Sequence, residues 1–148
     1  MTRVLVLGGP NLDLLGTREP EIYGRTTLDE IHAMVRARAT ELGIEIVDCY
    51  QSNHEGDLID RLHRRDFDVS IVNAAGLTHT SVSLRDALTG IGRPFIEVHL
   101  SDPWQRDDFR KVNFLHDVAF ETIKGHGPEG YLMALQVIAE RLAASPNA

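Results

Sequence analysis

Val4-Leu-Val-Leu7 and the loop after it, Gly8-Gly-Pro-Asn-Leu-Asp-Leu-Leu-Gly-Thr-Arg-Glu-Pro-Glu-Ile-Tyr-Gly24, decide the fold of this chain. The short apolar run predicts a buried strand. The loop is longer than the few residues that usually join a strand to a helix, and long ordered loops are usually functional. Gly16 and Gly24 bracket a segment over about residues 17–24, which we expect to move as a lid. A disordered excursion is the alternative, but the loop is too apolar for it, with Leu12, Leu14, Leu15 and Ile22.

Beyond this loop, strand and helix patterns alternate to the end of the chain. The predicted strands are residues 4–7, 44–49, 67–72, 94–99 and 118–123. Thr27 and Glu30 form a capping box that starts a helix, Gly43 ends it, and Ser81 caps a later helix. The last helix is predicted to run to residue 142, and residues 143–148 are expected to fray.

This alternation is typical of a parallel sheet with helices on both faces. We predict a single α/β domain over residues 1–148, a flavodoxin-like doubly wound sheet of five parallel strands in the order 2-1-3-4-5. In that order the crevice lies between strands 1 and 3, and the loops after strands 1, 3 and 4 converge there. The unusual polar residues of these loops are Asn11, Arg18, Tyr23, Asn73, His79, Glu97, His99, Ser101 and Arg110.

The composition and net charge of the chain argue against several classes of partner. The chain has 148 residues, of which 43% are hydrophobic and 25% charged, as in an ordinary soluble domain. Its net charge of −7 argues against nucleic acid and anionic membranes as partners, and a small anionic substrate requires a few arginines focused in one pocket. The single Cys49 excludes an internal disulfide and fits a reducing compartment. With no secretory or transmembrane run, the sequence predicts a cytoplasmic protein.

Glu97 and His99 are two residues apart on a predicted strand, so their side chains leave the sheet on the same face. A carboxylate beside an imidazole fixes its tautomer and stabilises its charged form, which suits a general acid. A simple surface ion pair is the alternative. We favour catalysis because an inner parallel strand is buried on both faces, where charges are unfavourable without a reason.

Tyr23 and Arg18 are the second candidate pair. A phenol with a pKa of about 10 is a poor base at neutral pH. A nearby guanidinium favours the tyrosinate, and closure of the lid strengthens this effect by excluding water. The alternative is that Tyr23 only packs the loop.

Other chemistries find less support. No nucleophile elbow is present, and neither GxGxxG nor a Walker pattern follows the first strand. A metal site built from His54, His79 and His99 is conceivable, but no metal-ligand spacing supports it. We therefore expect neither a metal nor a cofactor.

Several long motifs resemble the type II 3-dehydroquinate dehydratases, the type II dehydroquinases of the shikimate pathway. In register from about residue 3 to residue 142, they are Gly9-Pro-Asn-Leu12, Leu15-Gly-Thr-Arg-Glu-Pro-Glu-Ile-Tyr-Gly24, Gln51-Ser-Asn-His-Glu-Gly56, Thr78-His-Thr-Ser81, Leu84-Arg-Asp-Ala87 and Phe95-Ile-Glu-Val-His-Leu-Ser101. The resemblance implies a hydro-lyase that eliminates water from 3-dehydroquinate in the anti sense, through an enolate and without a cofactor.

The resemblance also implies a role for each matching residue. Tyr23 would remove the C2 proton, with Arg18 holding it as tyrosinate, and Asn11 would help to stabilise the enolate. His99, oriented by Glu97, would protonate the leaving C1 hydroxyl.

The implied binding contacts involve further positions. The substrate carboxylate would bind the backbone amides of Leu100 and Ser101, with Asn73 and the Ser101 hydroxyl nearby. His79 and Arg110 would bind ring hydroxyls. Asp86 would reach in from a neighbouring subunit, because members of this family assemble as homododecamers of four trimers.

Three segments depart from the family pattern. Gly8 stands where asparagine is usual, residues 112–114 replace a sequence close to His-Ser-Tyr, and residues 121–127 are more polar than the usual apolar strand and turn. A paralogue that acts on a related cyclic polyol acid is one alternative. A non-enzymatic flavodoxin-like binding domain is another, but Gly8-Gly9 and Asn73 replace the acidic residues of a phospho-receiver, and Pro10-Asn11 replaces a flavin phosphate loop.

Overall fold

The sheet has the predicted topology. The computed structural model describes residues 1–17 and 19–143, without the side chains of residues 22 and 23. Its strands are β1 (Arg3–Gly8), β2 (Glu45–Gln51), β3 (Val69–Asn73), β4 (Phe95–His99) and β5 (Glu121–Lys124). All pairings are parallel and the order is β2-β1-β3-β4-β5. The winding reverses at β1, so a crevice forms at the carboxyl ends of β1 and β3.

Helices cover both faces, as predicted. They are α1 (Pro20–Tyr23), α2 (Leu28–Leu42), α3 (Glu55–His63), α4 (Val82–Gly90) and α5 (Glu129–Val137), which continues as a π-helical turn over Ile138–Leu142. Alternate residues of β1 enter different cores. Val4 and Val6 share a cluster with α2 and α5, whereas Leu5 and Leu7 share one with α3 and α4.

The local signals of α2 are confirmed. Thr27 Oγ1 accepts from the Glu30 amide at 3.2 Å, and the Thr27 amide donates to Glu30 Oε1 at 3.4 Å. Gly43 ends the helix with a φ of 71°. Two reciprocal bonds satisfy amides that the first turn of a helix otherwise leaves unpaired.

The predicted fifth strand, residues 118–123, is wrong at its start. β5 begins at Glu121, and the amides of Val118 and Ala119 donate to the Leu115 carbonyl at 3.1 and 3.0 Å, as in a turn. Both side chains pack against the cluster under α3 and α4. A short apolar run predicts burial, and here a turn buries it. The other four strands differ from the predicted bounds by at most two residues.

The lid segment contains α1. Gly16 and Gly24 flank it with φ of 92° and 79°, in the left-handed region that favours glycine. Arg18 lies outside the described residues, and so does the side chain of Tyr23. The motion of the lid stays a prediction.

The carboxyl terminus lies mostly outside the description. Of residues 143–148, which were expected to fray, only residue 143 is described. Over residues 1–17 and 19–143, no helix has both the length and the apolar character needed to cross a bilayer.

Candidate active site

A cleft opens at the carboxyl ends of β1, β3 and β4. Its volume, which includes the space at its open mouth, is about 750 Å³. Predicted site residues that line it are Asn11, Asn73, His79, His99, Leu100, Ser101 and Arg110. The lining is completed by Pro10, Leu12, Leu15, Ala75, Gly76, Pro103 and Arg106.

Asn11 is presented by the first loop in a left-handed conformation with φ of 71°, which asparagine tolerates better than most residues. Its amide donates to Asn53 Oδ1 at 2.9 Å. Gln51 Nε2 donates to the same oxygen at 3.1 Å and to the Gly9 carbonyl at 3.1 Å. The polar turn after β2 therefore holds the loop that carries Asn11.

Asn73 ends β3 and is buried. Its Oδ1 accepts from the Ala75 amide at 3.1 Å, and its Nδ2 donates to the Tyr131 hydroxyl at 3.3 Å. Burial raises the pKa of Tyr131 to about 12 although the Asn73 hydrogen bond opposes it. The phenol is therefore neutral at pH 7 and serves to orient the Asn73 amide.

Glu97 and His99 form the pair that their spacing predicts. Their side chains leave β4 on one face, and His99 Nε2 lies 2.5 Å from Glu97 Oε2. Exposure separates their roles: the Glu97 side chain is 0% exposed and that of His99 is 7% exposed and lines the cleft. With Nε2 on the carboxylate, Nδ1 is the ring nitrogen available to a bound molecule.

The Glu97 carboxylate stays ionised in this setting. Burial, the largest single effect, raises its pKa. The hydrogen bond and charge of His99, with hydrogen bonds from Asn113 and Thr122, together outweigh burial, so the pKa of Glu97 lies below its ordinary value. An ionised Glu97 accepts the hydrogen bond from His99 Nε2–H.

His79 lies in the loop after β3 and lines the same cleft. Its Nδ1 is 2.6 Å from the Val112 carbonyl, and since a carbonyl only accepts, Nδ1 carries the proton. Burial lowers the pKa of His79, and the charges of His99 and Arg110 lower it further, against the opposing effect of the Val112 bond. The neutral ring therefore presents an unprotonated Nε2, which can accept a hydrogen bond from a hydroxyl.

The cleft is cationic although the chain is acidic. Arg106 and Arg110 line it with side chains 16% and 19% exposed, and none of the described residues in its lining is acidic. Arg110 Nε donates to Asp107 at 3.2 Å, and Arg106 pairs with Glu19 of the lid segment at 3.9 Å. This is the focusing of arginines that a small anionic substrate requires.

Some predicted site residues are not placed in the cleft. Arg18 and the side chain of Tyr23 lie outside the described residues. Glu97 lies behind His99. Asp86 is exposed on α4 and does not line the cleft of its own chain, so its action in a neighbouring subunit stays a prediction.

The metal alternative brings its residues together only in part. His79 and His99 share the cleft, but His54 lies at the start of α3 and is exposed. In the part of the chain that the structure describes, no group of three or more His, Cys, Asp or Glu side chains is arranged to hold a metal ion.

Sequence reasoning missed several supporting residues. Asn53 and Gln51 hold the Asn11 loop, and Asn113 and Thr122 contact Glu97. Arg106 adds a second arginine to the cleft. The polar replacements at residues 113 and 122 were visible as departures from the family pattern, but the sequence did not show which group they contact.

The fold and this site define a doubly wound α/β protein with a buried carboxylate–imidazole pair beside a cleft that two arginines line. The chain belongs to the class II dehydroquinase family, whose model, described as "Dehydroquinase class II", matches residues 2–139. The sequence-based assignment to the type II 3-dehydroquinate dehydratases, hydro-lyases of the shikimate pathway, is confirmed.

Individual relatives agree with this assignment. The chain is 50% identical over 145 residues to a 3-dehydroquinate dehydratase of Xanthomonas campestris pv. campestris, covering 96% of this chain and 97% of that protein. It is 52% identical over 139 residues to 3-dehydroquinate dehydratase 1 of Corynebacterium efficiens, covering 93% and 91%. The crystal structure of a type II dehydroquinase from Butyrivibrio crossotus matches with a TM-score of 0.89 and 36% identity, covering 93% and 97%.

Proposed function

We propose that this chain eliminates water from 3-dehydroquinate in the anti sense, giving 3-dehydroshikimate through an enolate and without a cofactor. Family membership supports the reaction. The observation that carries the proposal is the buried Glu97–His99 pair at the wall of a cationic cleft, because elimination needs an acid beside a bound anion.

His99 is the general acid of this mechanism. As imidazolium it donates Nε2–H to Glu97 and has Nδ1–H available to the cleft. Transfer of the Nδ1 proton to the C1 hydroxyl releases water. The C1–O electron pair leaves with the oxygen, while the enolate electrons restore the carbonyl and form the C1–C2 double bond. Neutral His99 still donates Nε2–H to Glu97, so the ring keeps its orientation throughout the step.

Tyr23 is the base, and its assignment rests on the family resemblance. Tyrosinate takes the C2 proton, and the C–H electron pair moves into the neighbouring carbonyl to form the enolate. A phenol with a pKa of about 10 needs a nearby cation for this role, and Arg18 supplies it. Asn11 stabilises the enolate oxygen through an ordered water, as an oxyanion donor does.

The substrate carboxylate binds the backbone amides of Leu100 and Ser101, with Asn73 and the Ser101 hydroxyl beside them. The turn that carries these amides is held by the Gly127 amide, which donates to the Leu100 carbonyl at 2.9 Å. His79 and Arg110 bind ring hydroxyls: neutral His79 accepts through Nε2, and the Arg110 guanidinium donates.

The proposal extends to assembly and location. Asp86 contributes to the site of a neighbouring subunit within a dodecamer made of four trimers, and the enzyme works in the cytoplasm. The exposure of Asp86 on α4 supports its availability to a neighbour.

An ultraviolet assay tests the reaction. Purified protein is mixed with 3-dehydroquinate in the presence of a metal chelator, because the product is a conjugated enone carboxylate that absorbs where the substrate does not. We expect a steady rise that the chelator does not change, and we expect it to be lost in His99→Ala.

Two outcomes contradict the proposal. A rise that the chelator abolishes would mean that a metal takes part in the chemistry. No rise from folded protein would favour the paralogue that acts on a related cyclic polyol acid, or a non-enzymatic binding domain.

A further inference from the structure

The buried Glu97 carboxylate has three side-chain donors on its two oxygens. Oε2 accepts from His99 Nε2 at 2.5 Å and from Asn113 Nδ2 at 2.7 Å, and Oε1 accepts from Thr122 Oγ1 at 2.8 Å. Buried charges require such partners. Neither Asn113 nor Thr122 is among the described residues that line the cleft, so both act on the site through Glu97.

The orientation of the Asn113 amide is determined by its other contacts. Its Oδ1 accepts from the amides of Leu115 and His116 at 2.8 and 3.0 Å. Two N–H donors require an oxygen at that end of the side chain, so the NH₂ group must face Glu97. The turn before β5 thus fixes the Asn113 side chain with its NH₂ group toward the Glu97 carboxylate.

Thr122 reaches Glu97 through the register of the sheet. It is the cross-strand partner of Glu97 in the parallel β4–β5 pair, so the two side chains lie on the same face. Its hydroxyl proton is donated to the ionised carboxylate, which only accepts. His116 Nδ1 lies 3.1 Å from the same Oγ1 and therefore donates to it. The hydrogen bonds run in one direction, from His116 through Thr122 to Glu97.

We propose that Asn113 and Thr122 are positioning residues that hold the Glu97 carboxylate, and through it the His99 ring, in the orientation that presents Nδ1 to the cleft. The two come from different segments, and both segments depart from the family pattern. Both are neutral donors, so they stabilise the carboxylate without replacing His99 as its cationic partner. Their catalytic consequence rests on the proposed function of this site.

Among the residues that the structure describes, few titratable groups lie around the Glu97–His99 pair. His79 and Arg110 face it across the cleft, and His116 faces it from behind Thr122. Lys124 follows Thr122 on β5, but its Nζ lies 3.5 Å from Asp102 and 3.4 Å from the centre of the Trp104 ring. A change in the charge of any of these groups would also shift the titration of the Glu97 carboxylate.

Thr122→Val is the first test, because it removes the hydroxyl and keeps the β-branched shape. A less stabilised anion binds protons more tightly, so the pKa of Glu97 should rise from its lowered value. In protein labelled at the glutamate Cδ carbon, we expect the NMR titration midpoint of Glu97 to move to higher pH.

The reaction gives a second readout. Because His99 becomes a less well oriented acid, kcat should fall roughly tenfold, while exchange of the C2 proton with solvent changes little. Thr122→Ser restores the hydroxyl and should restore the midpoint and the rate. Thr40→Val is the matched control, since Thr40 donates to the Arg36 carbonyl on α2 and has no link to the cleft.

Asn113→Asp is the stronger variant. It keeps an oxygen for the amides of Leu115 and His116 but places a second carboxylate against Glu97 Oε2. Two adjacent carboxylates cannot both ionise readily, so the upward shift should exceed that of Thr122→Val.

The proposal is overturned if Thr122→Val and Asn113→Asp lower thermal stability but leave the Glu97 titration as in the wild type. The titration needs no turnover, so the two proposals fail separately. If the two variants shift the titration while the wild-type protein forms no enone, the positioning role is retained and the dehydratase function is rejected.

Discussion

The two sides of the cleft are built in different ways. On the acid side, His99 and Glu97 lie on a central strand, and their neighbours are fixed by strand register and by a hydrogen-bonded turn. On the base side, the proposed base Tyr23 belongs to a long loop flanked by Gly16 and Gly24 in left-handed conformations. A buried carboxylate network can orient an acid permanently, whereas a loop between glycines can open for substrate and close for proton transfer.

We therefore expect the two proposed proton transfers to respond differently to substitution. Tertiary contacts orient the acid side, so substitution of any one of several residues should reduce protonation of the leaving group only in part. In the proposed mechanism the base side depends on one phenol and one cation, so removal of a single atom would abolish proton abstraction. The following predictions test that contrast.

Tyr23→Phe should have the largest effect. Loss of the phenol oxygen removes the base, so kcat should fall by about 10³-fold or more in the ultraviolet assay. Exchange of the C2 proton in heavy water should disappear with it, while the melting temperature is retained. Tyr50→Phe on β2, outside the cleft lining, is the control and should keep full activity. Near-normal turnover of Tyr23→Phe would show that the base lies elsewhere.

His99→Ala should come second, with a fall in elimination of about 10²-fold. Because the base side is intact, C2 exchange measured by NMR should decline much less than enone formation. His63→Ala, exposed at the end of α3, removes an imidazole far from the cleft and should be silent. An equal loss of exchange and elimination would argue against His99 as the acid.

Glu97→Gln should change how the free energy of unfolding depends on pH. The folded pKa of Glu97 is lowered from an ordinary 4.5, so its ionisation stabilises the folded state above that pH, and the stabilisation is lost as the pH falls through the lowered pKa. Urea unfolding should therefore show a deficit in the variant of about 1–3 kcal/mol at pH 7, shrinking at pH 3. A deficit that does not depend on pH would contradict an ionised Glu97.

Gly24→Ala should give the smallest effect. A φ of 79° is unfavourable for alanine although nothing lies within 4 Å of the added methyl group, so we expect a loss of about 1 kcal/mol in stability. The rate should change only a few-fold, through the lid. Gly90→Ala in α4 is the matched control, because alanine favours a helix and should stabilise by about 0.5–1 kcal/mol. Equal effects of the two substitutions on melting temperature would show that the positive φ of Gly24 does not disfavour alanine.

Local signals allowed much of this molecule to be predicted. The capping box at Thr27 and Glu30 depends on residues three apart, and the Glu97–His99 contact follows from the period of a strand. The start of β5 was not predictable in the same way. Val118 and Ala119 are apolar whether they lie in a strand or in a turn. In the folded chain they lie in a turn at Leu115 and pack against the core before the strand begins.

The sequence by itself determined the order of strands and helices, the family and the candidate acid and base, because periodicity, caps and long motifs are properties of neighbouring residues. Only the tertiary structure decided that Asn53 holds Asn11 and that Asn113 and Thr122 share the carboxylate of Glu97. These partners lie 16 to 42 positions apart. Their contact depends on sheet register and loop convergence, which bring together groups that no local pattern connects.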